Sequence, residues 1–132
     1  MTVFLKSHGT AENPLPDHWL DAGSRLVSPG RTGFPRRPRM APGDRLVLYA
    51  SVWKCIFGVA EVTSEPEKLV GAPQRWPWSV AVELLVVVPV LSNAPPVEAI
   101  GVAPRSMSQQ SHIRVEPRHL ELALEALAGV GR

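Results

Sequence analysis

Apolar and polar residues alternate along five stretches of the chain, and a sixth, near the C-terminus, changes to helical spacing. Residues 2–6, 45–51, 55–63, 78–90 and 113–115 read as strands, because a period of two sends successive side chains to opposite faces of a sheet. The 78–90 stretch alternates in its first half and is continuously apolar in its second, as a strand does when it passes from half-exposed to buried, until Pro89 stops ladder pairing. Glu116-Pro117 opens a helix that stops before Gly129; Leu120, Ala123, Leu124 and Leu127 form its apolar stripe, and Arg118, Glu121 and Glu125 face outward. Short helical turns are expected at 16–22 and 96–100. Residues 28–43 hold Pro29, Gly30, Gly33, Pro35, Pro38, Pro42 and Gly43 and read as one long loop. Such a loop is uncommon in a compact domain unless it binds something. The pattern predicts an α+β chain: a small mixed β-barrel with flanking short helices and a C-terminal helix.

The hairpin of residues 45–51 and 55–62 carries the strongest local information. Gly43-Asp44 launches its first strand, and Tyr49 and Ser51 fall on alternate positions, so a ring and a hydroxyl share one face. Gly58 lies inside the returning strand. A glycine there gives up packing, and marks either a bend that closes the barrel or a surface approached by a backbone or ligand.

Composition narrows the setting. At 132 residues the chain is expected to form one domain over 1–132, with an apolar fraction of 45% that excludes general disorder. A membrane span needs about 18 consecutive apolar residues, and the longest candidate contains Glu83 and Pro89. With one cysteine and no leader-like N-terminus, the expected location is cytoplasmic and free of any membrane. Net charge is +2, yet residues 24–58 alone carry +6, seven basic residues against Asp44. In that segment Arg31, Arg36, Arg37 and Arg39 are the candidate phosphate contacts.

Neither a Walker nor a dinucleotide loop, zinc spacing nor nucleophile elbow occurs, so no metal, no other cofactor and no enzymatic activity is expected. Cys55 opens an apolar strand and reads as a buried structural thiol. Trp53, Trp76 and Trp78 stand at loop edges, where a flat ring can stack a base or plug the barrel end; Trp19 reads as a plug.

The order of segments resembles the EVE domain family, a branch of the PUA-like fold related to the YTH readers. Phe4-Leu5-Lys6-Ser7, Met40-Ala41-Pro42-Gly43-Asp44 running into Leu48-Tyr49-Ala50-Ser51, Gly58-Val59-Ala60-Glu61-Val62, Arg75-Trp76-Pro77-Trp78-Ser79-Val80 and residues 109–117 carry it, over nearly the whole chain. The resemblance implies a PUA-like barrel whose pocket holds a modified nucleobase, rotated out of its stack, between an aromatic wall and polar edge contacts. Carried over by position, Ser7 stands in the family's Ser-Glu-Pro, Tyr49 and Ser51 in its Tyr-x-Ser, and Trp76 before the long strand; Gln109, Ser111 and His112 precede the last strand. His8-Gly9 departs from the family's Glu-Pro. The family's Trp-x-x-x-Arg-Asn is here Arg31 to Arg37 without tryptophan or asparagine, so one aromatic wall is either missing or supplied by Phe34, Trp53 or Trp78.

The expected function is therefore a non-catalytic module that recognises a modified cytosine or adenine in DNA or RNA, acting alone or beside a nuclease or modification system encoded separately. A small-molecule or free-nucleoside pocket is the alternative. An enzyme acting on nucleic acid would need His8 or His112 as its general base.

Overall fold

The computed structural model describes residues 1–71 and 75–130. Strands β1 (Val3–His8), β2 (Arg31–Phe34), β3 (Arg45–Ala50), β4 (Cys55–Val62), β5 (Glu67–Lys68), β6 (Trp78–Val87) and β7 (His112–Val115) precede helix α1 (Pro117–Ala128). They form one sheet in the order β2-β6-β4-β3-β1-β7, with β5 paired to β6 off that path. β1 runs parallel to β3 and all other pairs are antiparallel. The sheet curls into a half-barrel backed by the C-terminal helix, an α+β architecture.

The curl has a local cause. Register slips between Leu48 and Tyr49 in the β3–β4 pair, leaving Phe57 unmatched, and between Val59 and Ala60 in the β4–β6 pair, leaving Leu85 unmatched. Each extra residue bends its strand and increases its twist. Gly58 sits between the two slips, where an added Cβ would lie 2.6 Å from the Val86 carbonyl oxygen. Of the two readings of this glycine, the close neighbour is the backbone of β6.

Two cores result. Inside the curl Phe4, Trp19, Phe34, Leu46, Leu48, Phe57 and Val80 pack together; on the other face Val3, Leu5, Val47, Tyr49, Ile56 and Val59 pack against Ala123 and Leu127 of α1. Trp19 is fully buried, and its indole N–H donates to the Val88 carbonyl at 2.7 Å, so it plugs the interior as its sequence position implies. Cys55 is buried and burial pushes its thiol up to about 11, which suits an inert structural cysteine.

Several expected elements change. The loop of 28–43 contains β2, four residues paired to β6, and the irregular region after β4 contains β5. The turns at 16–22 and 96–100 shrink to single 3-10 helices at Trp19–Asp21 and Val97–Ile100. On α1, Ala123 and Leu127 are buried and Leu120 half-buried, but Leu124 is exposed, one step round from the stripe.

The sheet's two end strands, β2 and β7, are not paired to each other. Aromatic rings meet across the seam between them: His112 of β7 stands edge-on to Phe34 of β2 at 5.1 Å and to Phe4 of β1 at 5.7 Å.

Candidate functional site

A cleft of about 670 Å³ opens beside this seam. The end of β1, Gly9-Thr10 and residues 13–16, residues 24–26, the first three residues of β2, Arg75-Trp76, Met107 and residues 109–111 line it. Alternation along β1 puts Phe4, Lys6 and His8 on the inner face, and past Phe4 the barrel interior meets the cleft. Lys6 and His8, two polar residues at core positions, thus become part of its wall.

Lys6 is 3% exposed. Its Nζ donates to the Ser7 carbonyl at 2.7 Å and lies 4.8 Å from the centre of the Phe34 ring and 5.8 Å from that of Trp76. Burial lowers its pKa from 10.5 to about 7. His8 is held well below its ordinary value, first by burial and then by the Lys6 charge, so the ring is neutral. Its Nδ1 faces the Lys6 carbonyl at 3.1 Å and its Nε2 faces Thr32 Oγ1 at 3.0 Å. With Nδ1–H donating to the carbonyl, Nε2 accepts from the Thr32 hydroxyl, and both nitrogens are occupied. Trp76 is half-buried and rests on Gly33, where an added Cβ would come within 3.3 Å of its own Cβ. The bare backbone of β2 thereby seats the indole. Arg75 lies 6.0 Å from the same ring.

The cleft is electropositive. Lys6, Arg25, Arg31 and Arg75 line it, and among the described residues no carboxylate does. Arg31 is anchored by its Nε–H donating to Ser79 Oγ at 2.9 Å and by a longer, 3.5 Å ion pair with Glu67. That ion pair is not well enough placed to hydrogen-bond, and Nη2 is left buried without an acceptor. Gln109, at the rim, holds φ 58, a left-handed conformation uncommon outside glycine.

Of the residues expected at a base pocket, Ser7, His8, Ser51, Trp76, Gln109 and Ser111 line this cleft, and Arg31 lines it among the expected phosphate contacts. Tyr49 does not. It is 4% exposed in the core beneath α1, because strand alternation turns it to the opposite face from Leu48 and Ala50. Ser51 lies past the end of β3 and reaches the cleft wall through its backbone N–H, which donates to the His8 carbonyl at 2.9 Å. The expected pairing of ring and hydroxyl therefore fails.

Trp53 is exposed and donates its indole N–H to the Leu15 carbonyl at 2.9 Å, bracing the cleft wall from outside. Trp78 is half-buried against the inner core, with the Arg37 guanidinium 5.5 Å from its ring. His112 stands behind the wall, its Nδ1 bonded to Ser111 Oγ at 2.7 Å; burial first, then the Lys6 charge, lowers its pKa. Arg37 and Arg39 line a separate shallow depression beside Asp44 and Glu65, and Arg36 lines neither site. The basic patch expected of Arg36, Arg37 and Arg39 thus lies away from the cleft, whose cations come from Lys6, Arg25, Arg31 and Arg75. Lys6 and Thr32 escaped the sequence reading, although Lys6 shares its strand period with Phe4 and His8. Arg25 and Arg75 carried no such signal.

No protein-family model and no curated protein matches the sequence. Solved structures do match in shape. An NMR structure from Rhodopseudomonas palustris aligns with a TM-score of 0.62 at 14% identity, covering 97% of this chain and 94% of that one. The YTH domain of the Zygosaccharomyces rouxii MRB1 protein, in complex with N6-methyladenosine RNA, aligns with a TM-score of 0.59 at 12% identity, covering 94% of this chain and 84% of that one. The fold is YTH-like. A crystal structure from Agrobacterium tumefaciens, at a TM-score of 0.57 and 15% identity, covers 100% of this chain and 96% of that one. At identities this low the likeness is one of fold alone, and the chemistry of the cleft is left to this chain's own residues. Among the described residues no helix is long and apolar enough to cross a membrane.

Proposed function

We propose that this chain is a cytoplasmic, non-catalytic reader of the EVE kind, which binds DNA or RNA and takes a modified base, cytosine or adenine, into the cleft at the barrel seam. The observation that carries this reading is Trp76, a half-buried indole seated on Gly33 at the mouth of a cleft that four cations line and no described carboxylate does. Such a ring can stack an extruded base while Arg25, Arg31 and Arg75 meet the flanking phosphates. The neutral His8, with both nitrogens engaged, has no lone pair left to take a substrate proton, which favours binding over catalysis. A separately encoded nuclease or modification system would act on what the reader marks.

Trp76→Ala is expected to weaken binding to a modified oligonucleotide by about 1–3 kcal/mol, the worth of one stacked base, with the melting temperature nearly unchanged. Anisotropy titration paired with thermal unfolding checks this. A variant that unfolds would make Trp76 a structural plug and remove it from the site.

Phosphate contacts predict salt dependence. The slope of log K against log salt should be negative, and Arg75→Gln should make it shallower by about 0.7 on single strands or 0.9 on duplex DNA. A slope that Arg75→Gln leaves unchanged would take this arginine out of the interface.

A second reading, a site for a free nucleoside or other small molecule, draws on the cleft volume of about 670 Å³, within the range of small-molecule pockets. Under that reading a nucleotide would bind as tightly as an oligonucleotide. A thermal-shift series of nucleosides and nucleotides beside the oligonucleotide separates the two.

A further inference from the structure

Resting on the reader function, we infer that the base this cleft selects carries an oxygen acceptor in its modification, a carbonyl or carboxylate group, and that Lys6 is the residue that reads it. A bare methyl group is the modification this cleft is least suited to hold.

A lysine amine occupies a core position. Lys6 lies on β1 between Phe4 and His8, is 3% exposed and lines the cleft. Its only hydrogen-bond acceptor among the described residues is the Ser7 carbonyl at 2.7 Å. An ammonium has three protons to donate. The Phe34 and Trp76 rings lie 4.8 and 5.8 Å from Nζ and offer π-density but no oxygen. No described carboxylate lines the cleft, so Lys6 lacks the partner that normally accompanies a buried cation. Burial also lowers its pKa to about 7, in keeping with a group short of acceptors.

Arg31 repeats the theme a short way along the wall. Its Nη2 is buried with no hydrogen-bond acceptor, and its ion pair to Glu67 is 3.5 Å long. Neither neighbouring hydroxyl bonds to these groups: Thr32 is paired with His8, and Ser111 with His112. Two cationic donors in the cleft wall, Lys6 Nζ and Arg31 Nη2, are therefore short of acceptors.

A methyl group placed against Lys6 offers its N–H donors no acceptor, so the amine stays unpaired or gives up its proton. An oxygen in that place receives a charge-assisted hydrogen bond, shorter and about twice as strong as a neutral one. Trp76 supplies the stacking surface in either case, so the choice between modifications falls to Lys6. The same donor could meet a backbone phosphate, and the experiment must distinguish the two sources of oxygen.

Anisotropy titrations would use the full chain and two sets of otherwise identical oligonucleotides, one built on cytosine and one on adenine. Each set carries the plain, the methyl-bearing or the carboxymethyl-bearing base at one central position. The expected result is a preference of about tenfold or more for the carboxymethyl base in one set. Lys6→Met should abolish that preference, the three strands of the set then binding the variant within about threefold of one another. A wild-type preference for the methyl base overturns the inference and leaves the reader function standing. So does a Lys6→Met variant that weakens all strands of a set equally, since Lys6 then serves the phosphate backbone. If plain and modified strands bind alike, the reader function falls and the inference with it. Should Lys6→Met fail to fold, the wild-type order of affinities alone decides.

Discussion

Gly58→Ala is expected to destabilise the protein by about 3 kcal/mol, lowering the melting temperature by roughly 10 °C for a domain of this size. The added Cβ would lie 2.6 Å from the Val86 carbonyl oxygen, 3.2 Å from Leu48 Cδ1 and 3.4 Å from Val87 Cγ1. The leucine and valine methyls can turn aside. The carbonyl belongs to the β6 backbone and cannot, so relief requires β4 and β6 to part at Gly58↔Val87 and Val59↔Val86, next to the slip that curls the sheet. Gly129→Ala is the control: its Cβ would meet nothing closer than 3.5 Å, and its effect should stay within about 0.5 kcal/mol. Urea or thermal unfolding of both variants checks the pair. Equal stabilities would show that β4 and β6 do not approach this closely.

The second large effect concerns Lys6, and its sign is unusual for a residue at a binding site. Lys6→Met is expected to stabilise the protein by about 1–4 kcal/mol at pH 7, as replacing a buried charge with a well-packed apolar chain often does. Lys6 titrates at about 7 in the fold against 10.5 when free. Between those values the unfolded chain holds the proton more tightly, so wild-type stability rises with pH through this window and carries the full penalty below it. That penalty, taken from the shift, is on the order of 5 kcal/mol.

The groups near Lys6 are His8 on its own strand and His112 on β7, both with lowered pKa values, and Arg75, which like Lys6 lies beside the Trp76 ring. The lowered histidines act in acid. As pH falls through 6.5 the unfolded chain takes up protons that the folded histidines resist, and stability falls further. Cys55 opposes the trend above pH 9, because its thiol, raised to about 11, ionises first in the unfolded chain. The clean window is pH 7 to 9. There the wild-type melting temperature should rise and that of Lys6→Met should stay flat; parallel curves would show that Lys6 is not the buried titrating group.

Much of the fold was legible because five of its strands and its helix announce themselves through local periodicity. β2 was hidden for a physical reason: Arg31-Thr32-Gly33-Phe34 has no strong strand preference, and its structure comes from pairing with β6, some fifty residues away. The site was legible in part. Residues at the strand ends, Ser7, His8, Ser51 and Trp76, were readable from their places beside recognisable elements. Tyr49 misled because the face it shares with Ser51 within an ideal strand is the α1 face, and only the turn after Ala50 brings Ser51 to the cleft. Arg36, Arg37 and Arg39 misled because charge density along a chain does not say which loop folds toward which opening. Lys6 was overlooked as the polar end of an apolar strand, although the same alternation that buries Phe4 also turns Lys6 inward.

The central claim is that the cleft at the β2–β7 seam holds a modified base by stacking it on Trp76. The most direct measurement is an equilibrium titration at low salt of the wild type and Trp76→Ala, against matched DNA and RNA oligonucleotides with and without modified cytosine or adenine. The account predicts that at least one modified strand binds wild type about tenfold more tightly than its plain counterpart, and that Trp76→Ala, still folded, erases the difference. Equal binding of every modified and plain strand by the wild type, or a preference that survives in Trp76→Ala, would contradict it.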